Sequence, residues 1–183
     1  MRSHRCIAVV CLFAFAALGT WIVLTGAQRG GFGGGPMQEP LRFRFMGPSV
    51  GNRIASAAGV PGDLKTYYAG ASSGGVWKSV DGAVTWTPVF DDQTAAAIGS
   101  LAVTPSNPSI VWAGTGEAWA IRDVDMNGDG IYKSVDAGKT WTNMGLADTG
   151  RIGRIIVHPT NPDIVYAAAL GRMTGPQEER GVF

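Results

Sequence analysis

The chain has 183 residues and a formal net charge of +1, with 16% charged residues. That balance offers no electrostatic footprint for nucleic acid or for an anionic membrane surface, and the length fits one ordinary domain. The two cysteines, Cys6 and Cys11, both fall in an N-terminal apolar stretch, so the remainder has neither a disulfide framework nor a cysteine metal site.

Arg2 and Arg5 precede an uncharged run from Cys6 to Ala27, and Thr25-Gly26-Ala27 forms a small-residue cleavage site before Gln28. Residues 1–27 therefore read as a signal peptide. The apolar core Ile7–Leu24 also reaches the length of a spanning helix, so the alternative is an uncleaved membrane anchor. The arginines keep the N-terminus cytoplasmic in both cases. The rest of the chain is expected to be exported, periplasmic or secreted, and to meet a membrane only through this segment. Cys11 comes too early in the run for a lipoprotein acceptor. Residues 28–40, which include RGGFGGGP, are too glycine-rich to bury a core and read as a linker.

From Leu41 onward the chain holds short runs of Val, Ile, Tyr and Trp bounded by Gly, Pro, Asn or Asp, a strand-and-turn pattern. The runs repeat. Gly75-Val76-Trp77-Lys78-Ser79-Val80-Asp81 returns as Gly130-Ile131-Tyr132-Lys133-Ser134-Val135-Asp136, and Gly181-Val182-Phe183 opens the phrase a third time. Val103-Thr104-Pro105-Ser106-Asn107-Pro108 returns as Val157-His158-Pro159-Thr160-Asn161-Pro162. Self-similarity at this period marks a repeat architecture. In the second repeat the spacing predicts four strands, near Ile98–Thr104, Ser109–Thr115, Gly130–Val135 and Thr140–Met144. Four antiparallel strands per repeat make a propeller blade. Residues 41–183 are thus expected to form an all-β propeller, incomplete here: two full repeats and part of a third. A ring needs at least about four blades, so the remaining blades are expected from outside this stretch. Leu41–Met46 is a candidate closing strand.

Ser134 to Trp141 matches S-x-D-x-G-x-T-W in full, through Ser134, Asp136, Gly138 and Trp141. Ser79 to Trp86 is a second copy, through Ser79, Asp81 and Trp86. Aspartate and serine at this spacing bond the backbone of a tight hairpin, and the tryptophan packs on a neighbouring layer. The residues therefore read as structural. In the first copy the glycine shifts to Gly82 and Ala83 stands where Gly138 stands, so a turn needing positive φ there is expected to differ slightly.

These phrases resemble exported bacterial proteins with BNR/Asp-box repeats, in particular those with a sortilin N-terminal-like propeller. Leu41–Pro48 with Gly51-Asn52-Arg53-Ile54, GGVWKS, GTGEA, DGIYKS and TGRIGRI carry the likeness, over about Leu41–Phe183. The resemblance implies a fold and no single function.

Propeller topology puts inner-strand starts and the loops between second and third strands on one face, the usual ligand face. Arg53, Arg151, Glu117, Trp119 and Arg172 are expected there, with Gln177, Glu178 and Glu179 in the third loop and Arg154 slightly further along an inner strand. Such groups either bind carboxylates, sugars or peptides or pair with each other and with backbone across blades. Asp123, Asp125, Asn127 and Asp129 alternate like the start of a Ca²⁺ loop, with Gly128 sixth. The twelfth position is Ser134 rather than Glu, so an ordinary polar turn fits as well. No other cofactor is indicated.

Three function classes compete: a non-catalytic propeller binding a peptide, protein or glycan; the N-terminal part of a glycoside hydrolase; and a structural envelope module. The repeat also resembles Asp-box xyloglucanases, and alignment on Tyr68-Ala69 and Gly74-Gly75 puts Ser72 where those enzymes carry a catalytic Asp. Serine cannot replace a carboxylate in two-carboxylate hydrolysis. Neither a sialidase arginine cluster nor a Tyr–Glu pair can be assigned. His158, beside Pro159, reads as a surface histidine rather than a general base. The binding reading is therefore favoured, and no catalytic residue is assigned.

Overall fold

Short β-branched and aromatic runs punctuated by Gly, Asn, Asp and Pro favour strands joined by tight turns. The computed structural model describes residues 42, 44–50, 53–118 and 127–183, and Arg44–Phe183 forms a compact unit. The segment 1–27, the linker 28–40, and Trp119, Asp123 and Asp125 lie outside the described residues.

Three antiparallel sheets follow one another in chain order. Strands β1 (Ile54–Gly59), β2 (Tyr67–Ala71), β3 (Val76–Ser79) and β4 (Thr87–Pro88) form the first. The second holds β5 (Ile98–Val103), β6 (Val111–Thr115), β7 (Ile131–Ser134) and β8 (Thr142–Asn143). The third holds β9 (Ile152–Val157), β10 (Val165–Ala169) and β11 (Gly181–Val182). Each strand pairs with its sequence neighbour, as in a propeller blade. The fold is an incomplete β-propeller, all-β among the described residues, with two four-stranded blades and three strands of a third.

The strands are shorter than the sequence pattern suggests, for identifiable reasons. β6 starts at Val111 because the Asn107 side chain accepts the Ser109 N–H and the Asn107 carbonyl accepts the Ile110 N–H. The fourth strand of blade 2 starts at Thr142 rather than Thr140. Asp136 has already taken the Thr140 N–H and hydroxyl.

The core lies between blades rather than within them. Tyr68, Val76, Phe90, Ile98, Leu101 and Tyr132 join blade 1 to blade 2; Trp112, Ile131, Ile152, Ile155 and Ala167 join blade 2 to blade 3. A strand buried on both faces loses its alternation. β6, between two blades, is buried throughout, whereas β10 in blade 3 alternates.

The junctions repeat residue by residue. Gly70 faces Ile98 of the next inner strand, and Gly114 faces Ile152; a Cβ on either glycine would overlap the isoleucine. Ser56 Oγ accepts the Leu101 N–H at 2.9 Å, and Ser100 Oγ accepts the Ile155 N–H at 2.9 Å. Trp141 Nε1 donates to the Val89 carbonyl at 2.7 Å, and Phe90 meets the Trp141 ring edge-on with centroids 5.2 Å apart. The inner strands β1, β5 and β9 all slip register at their starts, near Ala55, Gly99 and Gly153, a bulge that bends each strand end.

The two serine–aspartate turns have one geometry, which corrects the expectation that the first would differ. Gly82 and Ala83 have φ of 77° and 68°; Ala137 and Gly138 have 60° and 87°. Both central residues are left-handed in each turn. Each turn spends one glycine and one alanine on them, in opposite order. Alanine is strained there by about 1–2 kcal/mol, and the side chains hold it. Asp136 accepts the Lys139 and Thr140 N–H groups and the Thr140 hydroxyl, while Ser134 Oγ accepts the Gly138 N–H. Asp81 does the same for Val84 and Thr85, and Ser79 for Ala83.

Candidate functional site

Inner-strand starts and the loops between second and third strands meet on one face, because each antiparallel strand returns the chain to the side it left. The Arg53–Glu117 ion pair demonstrates the meeting. Arg53 precedes β1, Glu117 follows β6, and the guanidinium donates to the carboxylate across blades. Glu117 is buried, while the Arg53 side chain stays half exposed. Burying a carboxylate is costly unless it is paired, and Arg53 supplies the charge. The pair ties blade 1 to blade 2.

Arg151 precedes β9 and donates through Nε to the Gly171 carbonyl at 2.8 Å. Arg172, exposed in the loop after β10, has Nη2 3.8 Å from Asp148 Oδ1. Its backbone N–H donates to Gln177 Oε1, and the Arg180 guanidinium bonds its carbonyl. Glu179 accepts the Asp148 N–H at 2.9 Å. These contacts shape an open cleft of about 450 Å³ lined by Asp148, Arg172, Thr174, Pro176, Gln177, Glu178 and Glu179. The sequence reading named Arg172, Gln177, Glu178 and Glu179 for this loop. It missed Asp148, whose only signal is its place just before the Thr149–Arg151 inner-strand lead.

Arg154 does not join that cleft. It is exposed on β9, in a groove of about 430 Å³ running across the three inner strands past Ser56, Ser100 and Gly99. The sequence-predicted arginines thus divide among three places: Arg53 with Glu117, Arg151 with Arg172 beside the cleft, and Arg154 in the inner groove.

Of the alternating oxygens, Asn127 and Asp129 are described. Asp129 Oδ2 accepts the hydroxyls of Thr94 and Tyr132, and its N–H donates to Thr115 Oγ1 at 2.9 Å. Its side chain is thereby spent on holding blade 1 against blade 2. Asn127 is exposed just ahead of it. No group of three or more metal-ligating side chains occurs among the described residues.

Ser72 is fully buried, and its hydroxyl has no hydrogen-bond partner among the described residues. Its N–H donates to the Arg53 carbonyl at 3.0 Å, as Gly116 does to Ala97 and Leu170 to Arg151. This equivalence puts Glu117 one position beyond the Ser72 site, level with Ser73. His158 caps its own turn: Nδ1 accepts the Asn161 N–H at 3.1 Å.

The strongest pKa displacements lie far from this face, in the serine–aspartate turns. Hydrogen bonds from Thr85, chiefly its hydroxyl, hold Asp81 down at about 2. Those from Thr140 hold Asp136 lower still, well below the usual carboxylate range. Burial, aided by the Asp136 charge, pushes the Tyr68 hydroxyl up to about 12. Tyr68 and Lys78 both donate to the Ala137 carbonyl, at 3.0 and 2.8 Å, so the blade 2 turn is also a junction contact.

No family model matches the chain, and no curated protein matches it. Solved structures do. An ancestral GH74 enzyme superposes with a TM-score of 0.51 at 17% identity, over 74% of this chain and 20% of its own. The GH74 enzyme of Niastella koreensis gives 0.48 at 22%, over 61% and 16%. The GH74 xyloglucanase of Xanthomonas campestris gives 0.44 at 18%, over 71% and 23%. The chain spans less than a quarter of the length of each. At these identities the likeness concerns the propeller fold alone.

Proposed function

We propose that the chain is part of an exported Asp-box propeller with a sortilin N-terminal-like opening, and that its ligand-side face binds a glycan. Peptides and proteins are the competing ligands. One observation carries the choice: the cleft beside Arg172 sets three carboxylates, Asp148, Glu178 and Glu179, and the Gln177 amide against one guanidinium. An anionic ligand would be repelled there. A neutral polyol offers hydroxyls that donate to carboxylates and accept from amide and guanidinium. Export rests on Arg2, Arg5 and the apolar run to Ala27. The rest of the ring, and of the site, comes from blades outside this chain, because a ring needs about four or more. A bound Ca²⁺ would draw on Asp123, Asp125 and Asn127, since the Asp129 carboxylate already accepts two hydroxyls.

A second reading is part of a propeller glycoside hydrolase, favoured by the carboxylates of the same cleft and by the xyloglucanase-like repeat. Ser72 weighs against it, since a buried serine holds the place where a carboxylate would act. A structural envelope module is the third reading.

Calorimetric titration with xyloglucan oligosaccharides and with a mixed peptide set separates them. The expected result is saturable glycan binding, lost in Arg172→Ala with Gln177→Ala at unchanged melting temperature. Retention of peptides alone would remove the glycan reading, and release of reducing sugar would favour the hydrolase.

A further inference from the structure

We propose that Asn127 is a ligand-binding residue: the cleft beside Arg172 continues across Gly150 to the Asn127 amide, and the extended site holds two adjacent hydroxyls of a neutral glycan. The inference rests on the glycan reading above and adds to it a contact from the long loop of blade 2.

The last residues of that loop are fixed by close approach of backbones. The Gly128 N–H donates to the Gly150 carbonyl at 2.7 Å. A Cβ on Gly128 would lie 2.2 Å from Thr115 Oγ1 and 2.4 Å from the Gly116 nitrogen, and one on Gly116 would lie 1.9 Å from the Gly150 oxygen. Three glycines thus let the end of β6, the loop exit and the lead into β9 pack backbone against backbone. In a Ca²⁺ loop the sixth-position glycine serves a sharp turn. Gly128 lies outside the left-handed region, and its missing side chain serves this packing instead.

The place of Asn127 follows from that clamp. Asn127 and Arg172 both lie over the bare Cα of Gly150: a Cβ there would meet Arg172 Cγ at 2.8 Å and Asn127 Oδ1 at 3.3 Å. Gly150 is buried beneath them, while both side chains are exposed. The Asn127 side chain has no hydrogen-bond partner among the described residues. In the cleft itself, Gln177 Oε1 accepts the Arg172 N–H, which leaves the Gln177 amide nitrogen to donate to a ligand. Arg172 therefore has amides from the loops of two blades beside it. Asn127 can accept from one hydroxyl through Oδ1 and donate to its neighbour through Nδ2, a pairing that adjacent sugar hydroxyls match. The Asp129 carboxylate, next in the series, takes no part, being held by Thr94 and Tyr132.

Calorimetric titration of the full chain in detergent with xyloglucan oligosaccharides tests the assignment. Asn127→Ala and Asn127→Leu should each weaken binding roughly tenfold, the loss of about two neutral hydrogen bonds. The melting temperature should not change, because no hydrogen bond of the described fold uses this amide. The side-chain amide resonances that vanish in Asn127→Ala should shift when the unaltered chain is titrated. Equal binding by the unaltered chain and both variants, or resonances that do not move on binding, would overturn the role of Asn127 and leave the glycan reading standing. No binding by the unaltered chain would overturn the glycan reading and this extension with it. A melting shift at millimolar Ca²⁺ that Asn127→Ala abolishes would overturn the extension by assigning the amide to a cation.

Discussion

Asp81 and Asp136 do the same job at different depth in the architecture. Each carboxylate closes its own hairpin, but the Asp136 turn also presents the Ala137 carbonyl to Tyr68 and Lys78 of blade 1. The pKa displacements give the pH dependence its sign. Both carboxylates are held below their ordinary value, so the folded state binds protons less readily than the unfolded chain. The stability they contribute is complete above about pH 4, the unfolded carboxylate range, and is lost as pH falls through about 2 for Asp81 and lower for Asp136. Tyr68 acts in the opposite direction: raised to about 12, it costs stability as pH climbs above the ordinary tyrosine range. Acid denaturation followed by tryptophan fluorescence should show Asp136→Asn flattening the decline below pH 4 more than Asp81→Asn does. Equal flattening would mean that the two carboxylates are held down to the same degree.

At the level of strands, packing depends on an absence of side chain. Gly70 and Gly114 leave room for an inner-strand isoleucine of the next blade. Gly114→Ala should destabilise the chain by about 1–3 kcal/mol, the usual cost of overpacking. Ile152→Ala should cost about 2–5 kcal/mol alone, and the pair should cost less than the sum, because the added methyl fills part of the vacated space. Strict additivity in urea denaturation would show that the two residues do not share a site. This contact marks where sequence reading succeeds and where it stops. The repeated phrases around Lys78 and Lys133 and the two Asn-Pro turns made the blades legible, since turn chemistry and period are local. They did not reveal that Glu117 is buried under Arg53, or that Asp129 accepts hydroxyls from two blades. Those partners are brought together by blade stacking, across 64 and 35 residues of chain for Arg53 and Thr94. Asp148 escaped for the same reason, its cleft being formed with a loop of the next blade.

In the whole molecule, stability should follow nearest-neighbour rules, because the buried clusters lie at the junctions and not inside single blades. Blade 2 is covered on both faces. Blade 1 has one full junction plus the Met46 contact through Trp86. Among the described residues, blade 3 has one junction and three strands, and Ile156, Tyr166 and Val182 are exposed on it. Local opening should therefore be graded, since regions with few buried contacts open at lower free energy than the global transition. Hydrogen exchange resolved by peptide should find the β5–β7 amides slowest, β1–β3 intermediate and β9–β11 fastest. Gly114→Ala should accelerate exchange throughout blade 3 while leaving the blade 1 amides nearly unchanged. An all-or-none molecule would lose protection equally in the three blades. That outcome would show that the junctions transmit enough energy to make the described body a single cooperative unit.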